Sequence, residues 1–297
     1  MRILGINDGH NASAALLEDG VTRAVLQEER FTGVKEQTGF PGQSIRGVLR
    51  LTGLTIDRID EVAMATESPP GGSGIVHQVV KRVAPTFYGK NRNASRLAQI
   101  RALGFNGPVS FVNHHTSHAA SAYYSSPWRD GVLVLSLDGA GDGLCATVSV
   151  GENGTLRRIA QTTSEHSLGY IYRSATKYLG MKPNSHEWKV MGLAPYAPKE
   201  LIEPSYNKFA SYIGLEGLEF KKRFPEPIHQ VSARMKDDLF GHRFDAIAAG
   251  LQKRTEELVV EWTKTAMRRT GLQRITAAGG VFMNVRINKL IREMVSQ

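Results

Sequence analysis

The fold is decided by residues 132–143, which read VLVLSLDGAGDG. The run Gly131–Leu137 is apolar and typical of a strand, and Asp138–Gly143 is rich in the glycines of turns. A second strand-like run, Leu144–Val150, follows, and Asn153-Gly154 is a hairpin signal. The stretch therefore predicts antiparallel strands joined by tight turns.

The same pattern opens the chain, 130 residues earlier. A repeat of this spacing is too long for a solenoid and fits a duplicated lobe. We therefore expect an α/β protein with a first lobe at residues 1–130 and a second at residues 131–297. The parts of the earlier copy are the strands Arg2–Ile6, Ser13–Leu17 and Val21–Gln27 and the turns Asp8–Asn11 and Asp19-Gly20.

Hydrophobic periodicity predicts the remaining elements. Strands are expected at Ile59–Ala65, Val109–Val112 and Arg274–Ala277. Helices are expected at Gln43–Leu51, through His118–Ala122, and at Tyr170–Leu179, Phe244–Met267 and Val281–Val295.

Composition excludes several classes of protein. Of 297 residues, 41% are hydrophobic and 22% charged, which excludes a wholly disordered chain. Apolar runs are too short for a membrane helix, the first residues turn polar too early for a secretory signal, and the lone Cys145 excludes an internal disulfide framework. We expect a soluble, cytoplasmic protein without a membrane partner.

The net charge of +9 favours anionic partners. The basic residues are dispersed along the chain, however, and no aromatic-interleaved nucleic-acid motif accompanies them. A solvated basic surface is therefore the better interpretation than nucleic-acid binding.

A histidine pair is the first candidate metal site. His114 and His118 are four residues apart, so on a helix they share one face and their imidazoles could hold one ion. Asp138 could add a hard oxygen ligand, a set that suits iron, manganese or zinc. Capping or core histidines are an equally good interpretation of the spacing.

Three further motifs combine turn chemistry with polar side chains. The Asp-Gly turns at Asp8 and Asp138 could hold phosphate, alone or with a metal, although each is also a common hairpin turn. Gly279-Gly280, with Asn284 beyond it, allows a ligand close to the backbone, but taken by itself a tight strand–helix turn is the better interpretation of the glycines. His186, Glu187 and Lys189 are either functional or surface charges.

Five motifs follow one another along nearly the whole chain: Gly9–Leu16, His114–Ala119, Ser136–Gly139, Lys189–Tyr196 and Ala278–Asn284. Their residues and their order resemble those of the NodU/CmcH carbamoyltransferases. The two Asp-Gly turns also resemble those of the superfamily of actin, hexokinase and the heat-shock chaperone ATPases, whose two lobes close over a nucleotide.

The resemblance implies transfer of a carbamoyl group from carbamoyl-adenylate, made from ATP and carbamoyl phosphate, to a hydroxyl of a small molecule such as a sugar or antibiotic. It implies a metal ion, iron first and manganese, zinc or magnesium as alternatives, on His114, His118 and Asp138. His10 would lie beside the reacting carbonyl, with Asp8 and Lys189 as further catalytic residues. The nucleotide-binding residues would be Gly9, Asn11, Gly139, Gly141, Gly279, Gly280 and Asn284.

The chain departs from the family at its end. Members continue past the helix at Val281–Val295 with a further strand, a fourth metal ligand and an adenylate-forming domain, so the second lobe is expected to be incomplete here. A sheet edge and part of the apolar face near Val281–Ile291 would be uncovered. We expect a longer parent chain, a partner polypeptide or a second copy in a homodimer to cover them.

Two other functions remain open. One is a tRNA threonylcarbamoyl transferase-like enzyme, favoured by the basic charge, although Lys189–Tyr196 matches the O-carbamoyltransferases better. The other is a non-catalytic nucleotide-binding subunit, favoured by the absent fourth ligand.

Overall fold

The computed structural model describes residues 1–68 and 85–295, with the backbone alone for residues 85–92. These residues form two compact units, Met1–Ser117 and His118–Gln297, each built around a mixed sheet. The division lies inside one helix and precedes the expected lobe boundary after residue 130. No helix in the described ranges is long and apolar enough to span a bilayer.

The first unit has a five-stranded sheet in the order β3-β2-β1-β4-β5. Strands β1 to β3 are antiparallel neighbours, whereas β4 is parallel to β1 and β5 is parallel to β4. The elements are β1 (Arg2–Asn7), β2 (Ser13–Glu18), β3 (Val21–Gln27), α1 (Glu29–Thr32), α2 (Gly42–Thr52), β4 (Glu61–Met64), α3 (Pro85–Ala102), β5 (Val109–Phe111) and α4 (His114–Tyr124), which crosses into the second unit.

Local chemistry explains two features of this unit. Asp19 and Gly20 have φ of +51° and +79°, the positive values that a two-residue hairpin turn requires, and they join β2 to β3 as predicted. Helix α2 begins where the buried Glu28 carboxylate accepts hydrogen bonds from the backbone N–H groups of Gln43 (3.0 Å) and Ser44 (2.7 Å). A carboxylate there complements the partial positive charge of the helix N-terminus.

The second unit has a four-stranded sheet in the order β11-β6-β7-β8 and a small β9-β10 hairpin. Residues 132–137 of β6 are all buried, as expected of a strand covered on both faces. The elements are β6 (Val132–Gly141), β7 (Leu144–Glu152), β8 (Thr155–Thr163), α5 (Leu168–Tyr178), α6 (Glu187–Leu193), α7 (Ile202–Tyr212), β9 (Ile213–Glu216), β10 (Glu219–Lys222), α8 (Val231–Asp238), α9 (Phe244–Thr270), β11 (Arg274–Ala278) and α10 (Val285–Val295).

The two large sheets repeat one arrangement. Three antiparallel strands are followed, after helices, by a strand parallel to the first: β3-β2-β1-β4 in one unit and β8-β7-β6-β11 in the other. The first sheet carries a fifth strand, β5, beyond β4, whereas β11 is at the edge of the second sheet among the described residues. The predicted duplicated α/β fold is therefore confirmed.

Two predicted boundaries are wrong in detail. Strand β6 continues through Asp138 to Gly141, and only Asp142-Gly143 forms the turn, because Gly141 still pairs with Leu144 after a shift of register. The predicted helix Val281–Val295 is a 3₁₀ turn, Gly280–Met283, followed by α10, since the backbone of Asn284 is extended.

The apolar residues of this last segment are only partly uncovered. Phe282, Ile287 and Ile291 are buried in the core of the second unit, whereas Met283 and Val285 are 80% and 62% exposed. One face of α10 is therefore already packed.

Candidate functional site

Helix α4 and strand β6 bring the predicted metal ligands together. His114 and His118 lie one turn apart on α4, and Asp138 lies near the end of β6. One potential ligand atom from each residue lies within 4.8 Å of those of the other two, and all three residues are partly exposed. His118 Nε2 is 3.4 Å from Asp138 Oδ2. Two imidazole nitrogens and a carboxylate oxygen form a donor set that fits a first-row transition metal.

The other oxygen of Asp138 binds backbone. Oδ1 accepts hydrogen bonds from the N–H groups of Gly139 (2.8 Å) and Gly280 (3.3 Å). One carboxylate thus contacts His118 through one oxygen and Gly280 of the Gly279-Gly280 turn through the other.

The backbone of the Gly279-Gly280 turn lies so close to Leu137 and Asp138 that neither position has room for a side chain. A Cβ on Gly280 would lie 2.8 Å from Asp138 Oδ1, closer than real Cβ contacts. Gly279 has φ of +108°, and a Cβ there would collide with the backbone carbonyl of Leu137. Both positions therefore need glycine for steric reasons.

The start of α5 packs against the same turn of β6. Ser167 is fully buried; its hydroxyl donates to the carbonyl of Gly139 (2.5 Å) and accepts from the N–H of Tyr170 (2.9 Å), which caps the helix. A Cβ on Gly169 would lie 2.8 Å from the carbonyl oxygen of Asp138. Sequence reasoning missed Ser167 and Gly169, although a serine just before a helical pattern is a cap signal.

Asp8 is held by an arginine that the sequence did not indicate. Arg96 donates to Asp8 through Nε (2.7 Å) and Nη2 (2.5 Å), and both side chains are buried. Arg96 also donates to the carbonyl (3.1 Å) and hydroxyl (2.7 Å) oxygens of Thr66, which follows β4. Arg96 thereby links Asp8, at the end of β1, to Thr66, just after β4, and its contact with Asp8 is bidentate.

Asn7 organises the turn that carries His10. Its Nδ2 donates to the carbonyls of His10 (3.1 Å) and Asn11 (3.3 Å), and its Oδ1 accepts from the N–H of Gly9 (3.0 Å). Asn11 has φ of +57°, and the His10 side chain is exposed. Asn7 was missed because its role depends on the shape of the turn.

The other candidates have different surroundings. Lys189 is exposed on α6, with Nζ 3.2 Å from His186 Nε2 and 5.5 Å from the centre of the Trp188 ring. Gly141 ends β6, and Asn284 caps α10 by accepting from the N–H of Ile287 (3.3 Å). Burial raises the pKa of Cys145 to about 12, so this thiol is not a nucleophile at neutral pH.

Comparison with known sequences identifies relatives. Residues 86–296 match the protein family described as Carbamoyltransferase N-terminus. The uncharacterized protein sll1178 of Synechocystis sp. is 30% identical over 98% of this chain and 52% of its own length. Nodulation protein NolNO of Sinorhizobium fredii is 30% identical over 97% of this chain and 43% of its own length. The chain thus spans about half the length of the curated relatives it matches.

Comparison with solved structures shows the fold. The activator of the 2-hydroxyisocaproyl-CoA dehydratase from Clostridium difficile, solved with bound ADPNP, aligns with a TM-score of 0.52 at 13% identity, over 100% of this chain and 87% of that chain. This likeness confirms the predicted two-lobed α/β fold of the actin and hexokinase type. Because the family match covers most of the chain and includes both histidines, Asp138 and the Gly279-Gly280 turn, the chain belongs to the carbamoyltransferase N-terminus family.

Proposed function

We propose that the chain is the transfer half of an ATP-dependent O-carbamoyltransferase, which moves a carbamoyl group from carbamoyl-adenylate to a hydroxyl of a small molecule. The observation that carries the proposal is Asp138, which contacts both His118 and the Gly279-Gly280 turn in a member of a carbamoyltransferase family. A metal-ligand set and a nucleotide-binding turn joined by one carboxylate suit a donor that is both a carbonyl compound and a nucleotide.

In the proposed step the acceptor oxygen bonds to the carbamoyl carbon, the bond from that carbon to the phosphate oxygen breaks, and AMP leaves. His10 takes the hydroxyl proton on an imidazole nitrogen. When bound by His114, His118 and Asp138, the metal, iron or else manganese, zinc or magnesium, supplies a Lewis acid that polarises the carbamoyl oxygen. Asp8, with both oxygens bound to Arg96, supports the turn of His10 from within the core.

Lys189 is an exposed side chain on α6. Its ammonium group would attract the anionic phosphate of the donor without leaving the solvent. Gly9, Asn11, Gly139 and Gly141 are proposed to bind the nucleotide through the backbone of their turns.

The turn at Gly280 provides a test of nucleotide binding. Gly280→Val is expected to weaken binding of ATP and AMP at least about tenfold, because the added side chain would displace the Asp138 carboxylate from the turn. Isothermal titration calorimetry measures the affinities. Gly42→Val is the matched control, since Gly42 lies outside the five motifs and a Cβ there meets nothing closer than 3.7 Å. Equal losses in both variants would remove the Gly279-Gly280 turn from the site.

The adenylate-forming half is proposed to lie in the rest of a longer parent chain or in a partner polypeptide. Two facts support this: the chain spans about half of its relatives, and the counterpart of β5 is absent beside β11 among the described residues. A parallel strand added to β11 would complete the repeat of the first sheet.

The function is tested by supplying the donor. Incubated with synthetic carbamoyl-adenylate and a panel of sugar and aminoglycoside hydroxyl acceptors, the chain is expected to release AMP and form a carbamate detectable by mass spectrometry. Given ATP and carbamoyl phosphate, the chain alone is expected to form no AMP. A robust carbamoyl-phosphate-dependent AMP signal would contradict this division of labour, and a His10→Gln variant as active as the wild type would contradict the role of His10.

The net charge of +9 favours one alternative, a transferase that acts on tRNA. Two results together would support that function instead. The chain would bind tRNA with an affinity that falls steeply with salt, and the assays with small-molecule acceptors would yield no carbamate. Nucleotide binding without any transfer would support a non-catalytic partner subunit.

A further inference from the structure

A buried glutamine contacts the proposed nucleotide-binding residue Asn284. Gln252 lies in α9, is 1% exposed, and exchanges two hydrogen bonds with the Asn284 amide: Asn284 Nδ2 donates to Gln252 Oε1 (2.9 Å), and Gln252 Nε2 donates to Asn284 Oδ1 (3.1 Å). Nothing in the sequence pattern indicated Gln252, since 32 residues separate the pair.

Groups with fixed hydrogen-bonding roles set the direction of both amides. Gln252 Nε2 also donates to the Glu256 carboxylate (2.8 Å), and the same carboxylate oxygen accepts from Arg286 Nε (2.7 Å). Gln252 Oε1 also accepts from the Tyr172 hydroxyl (2.9 Å), and burial raises the pKa of Tyr172, which keeps that donor protonated. At the other end, Asn284 Oδ1 accepts from the backbone N–H of Ile287, which can only donate.

The side-chain amide of Asn284 therefore has few hydrogen-bonding positions left for a ligand. Its oxygen already accepts two hydrogen bonds, and one of its two amide hydrogens is donated to Gln252. One N–H remains. Asn284 can therefore offer a ligand a hydrogen-bond donor but no acceptor.

We propose that Gln252 is a positioning residue of the nucleotide site, which turns the Asn284 amide so that it presents one N–H, and no acceptor, to an acceptor atom of the nucleoside. This rests on the proposed function, in which Asn284 binds the adenosine part of the donor. A network spanning α5, α9 and α10 thereby selects which polar atom of the nucleoside is recognised.

Binding of AMP and of uncharged adenosine, measured by calorimetry, tests the proposal. Gln252→Met removes both hydrogen bonds to Asn284 and is expected to weaken both ligands about five- to tenfold, the effect of one lost hydrogen bond. Thr263→Val is the matched control, because it removes a different buried hydrogen bond of α9, from Thr263 Oγ1 to the Val259 carbonyl (2.7 Å), and leaves the Gln252–Asn284 pair intact. It is expected to lower thermal stability but to change both affinities less than about twofold.

A second variant covers the case in which Gln252→Met does not fold. Asn284→Asp keeps an acceptor for Ile287 and Gln252 but has no N–H, and it is expected to weaken adenosine at least about fivefold. In the wild type, adenosine should shift one of the two Asn284 side-chain N–H signals in a ¹⁵N spectrum of Asn-labelled chain.

Three outcomes overturn the proposal. Unchanged binding in Gln252→Met or in Asn284→Asp would show that the amide pair only joins α9 to α10. Equal loss in Gln252→Met and Thr263→Val would show that binding follows stability alone. A wild type that binds neither AMP nor adenosine would refute the nucleotide part of the proposed function, and the role of Gln252 with it.

Discussion

Replacing both His114 and His118 with alanine is expected to remove nearly all of the metal that the chain retains. The two imidazoles supply two of the three ligand atoms that the structure brings within 4.8 Å of one another, and a lone carboxylate holds a transition metal only weakly. The measurement is metal content by inductively coupled plasma mass spectrometry after loading with iron, manganese or zinc and desalting.

His229→Ala is the control for this experiment, because His229 is an exposed histidine on a different segment. It should retain as much metal as the wild type. If the wild type holds no more metal than the double variant under metal-replete conditions, these residues do not form a metal site in this chain.

Asp138→Asn separates the two contacts of that side chain. The amide oxygen can still accept from Gly139 and Gly280, whereas the charge available to the metal is lost. The metal content of Asp138→Asn should therefore fall. Its nucleotide affinity, which reports whether the Gly279-Gly280 turn is intact, should change less than its metal content.

The second large effect is on stability. Arg96→Met is expected to lower the free energy of unfolding by about 3–5 kcal/mol, because it leaves the buried Asp8 carboxylate without its counter-ion. Two hydrogen bonds to Thr66 are lost as well. Urea denaturation followed by circular dichroism measures the change.

A double variant identifies the cause. Asp8→Leu combined with Arg96→Met removes both charges and is expected to recover much of the loss, since a buried ion pair can often be replaced by apolar side chains at little cost. Arg58→Met, at an exposed arginine of the same unit, is expected to change stability by less than about 0.5 kcal/mol. An Arg96→Met variant as stable as Arg58→Met would contradict the assigned role of the ion pair.

Local chemistry made much of the fold predictable. The turns at Asp19-Gly20 and Asn153-Gly154 are formed as expected, because positive φ at both central residues is favoured by asparagine, aspartate and glycine themselves. The duplicated strand pattern then implied two similar sheets. The segment between residues 199 and 243 was not predicted, because its short helices and the β9-β10 hairpin give too few residues for a clear period.

The candidate site was predictable where its residues are close in sequence. The spacing of His114 and His118 implied a shared helix face, and the second copy of the Asp-Gly turn singled out Asp138. Arg96, Ser167 and Gln252 could not be found in this way. Their partners are 88, 28 and 32 residues distant, and only the packing of helices onto the sheets brings them into contact.

The single buried thiol makes the chain its own reporter of unfolding. Burial raises the pKa of Cys145 to about 12, so at pH 8 the thiol is protonated, and burial also keeps reagents away from it. An opening that exposes β7 would restore an ordinary thiol pKa and allow alkylation. The rate of alkylation of this one thiol therefore measures how often the second unit opens around β7, and no label has to be introduced.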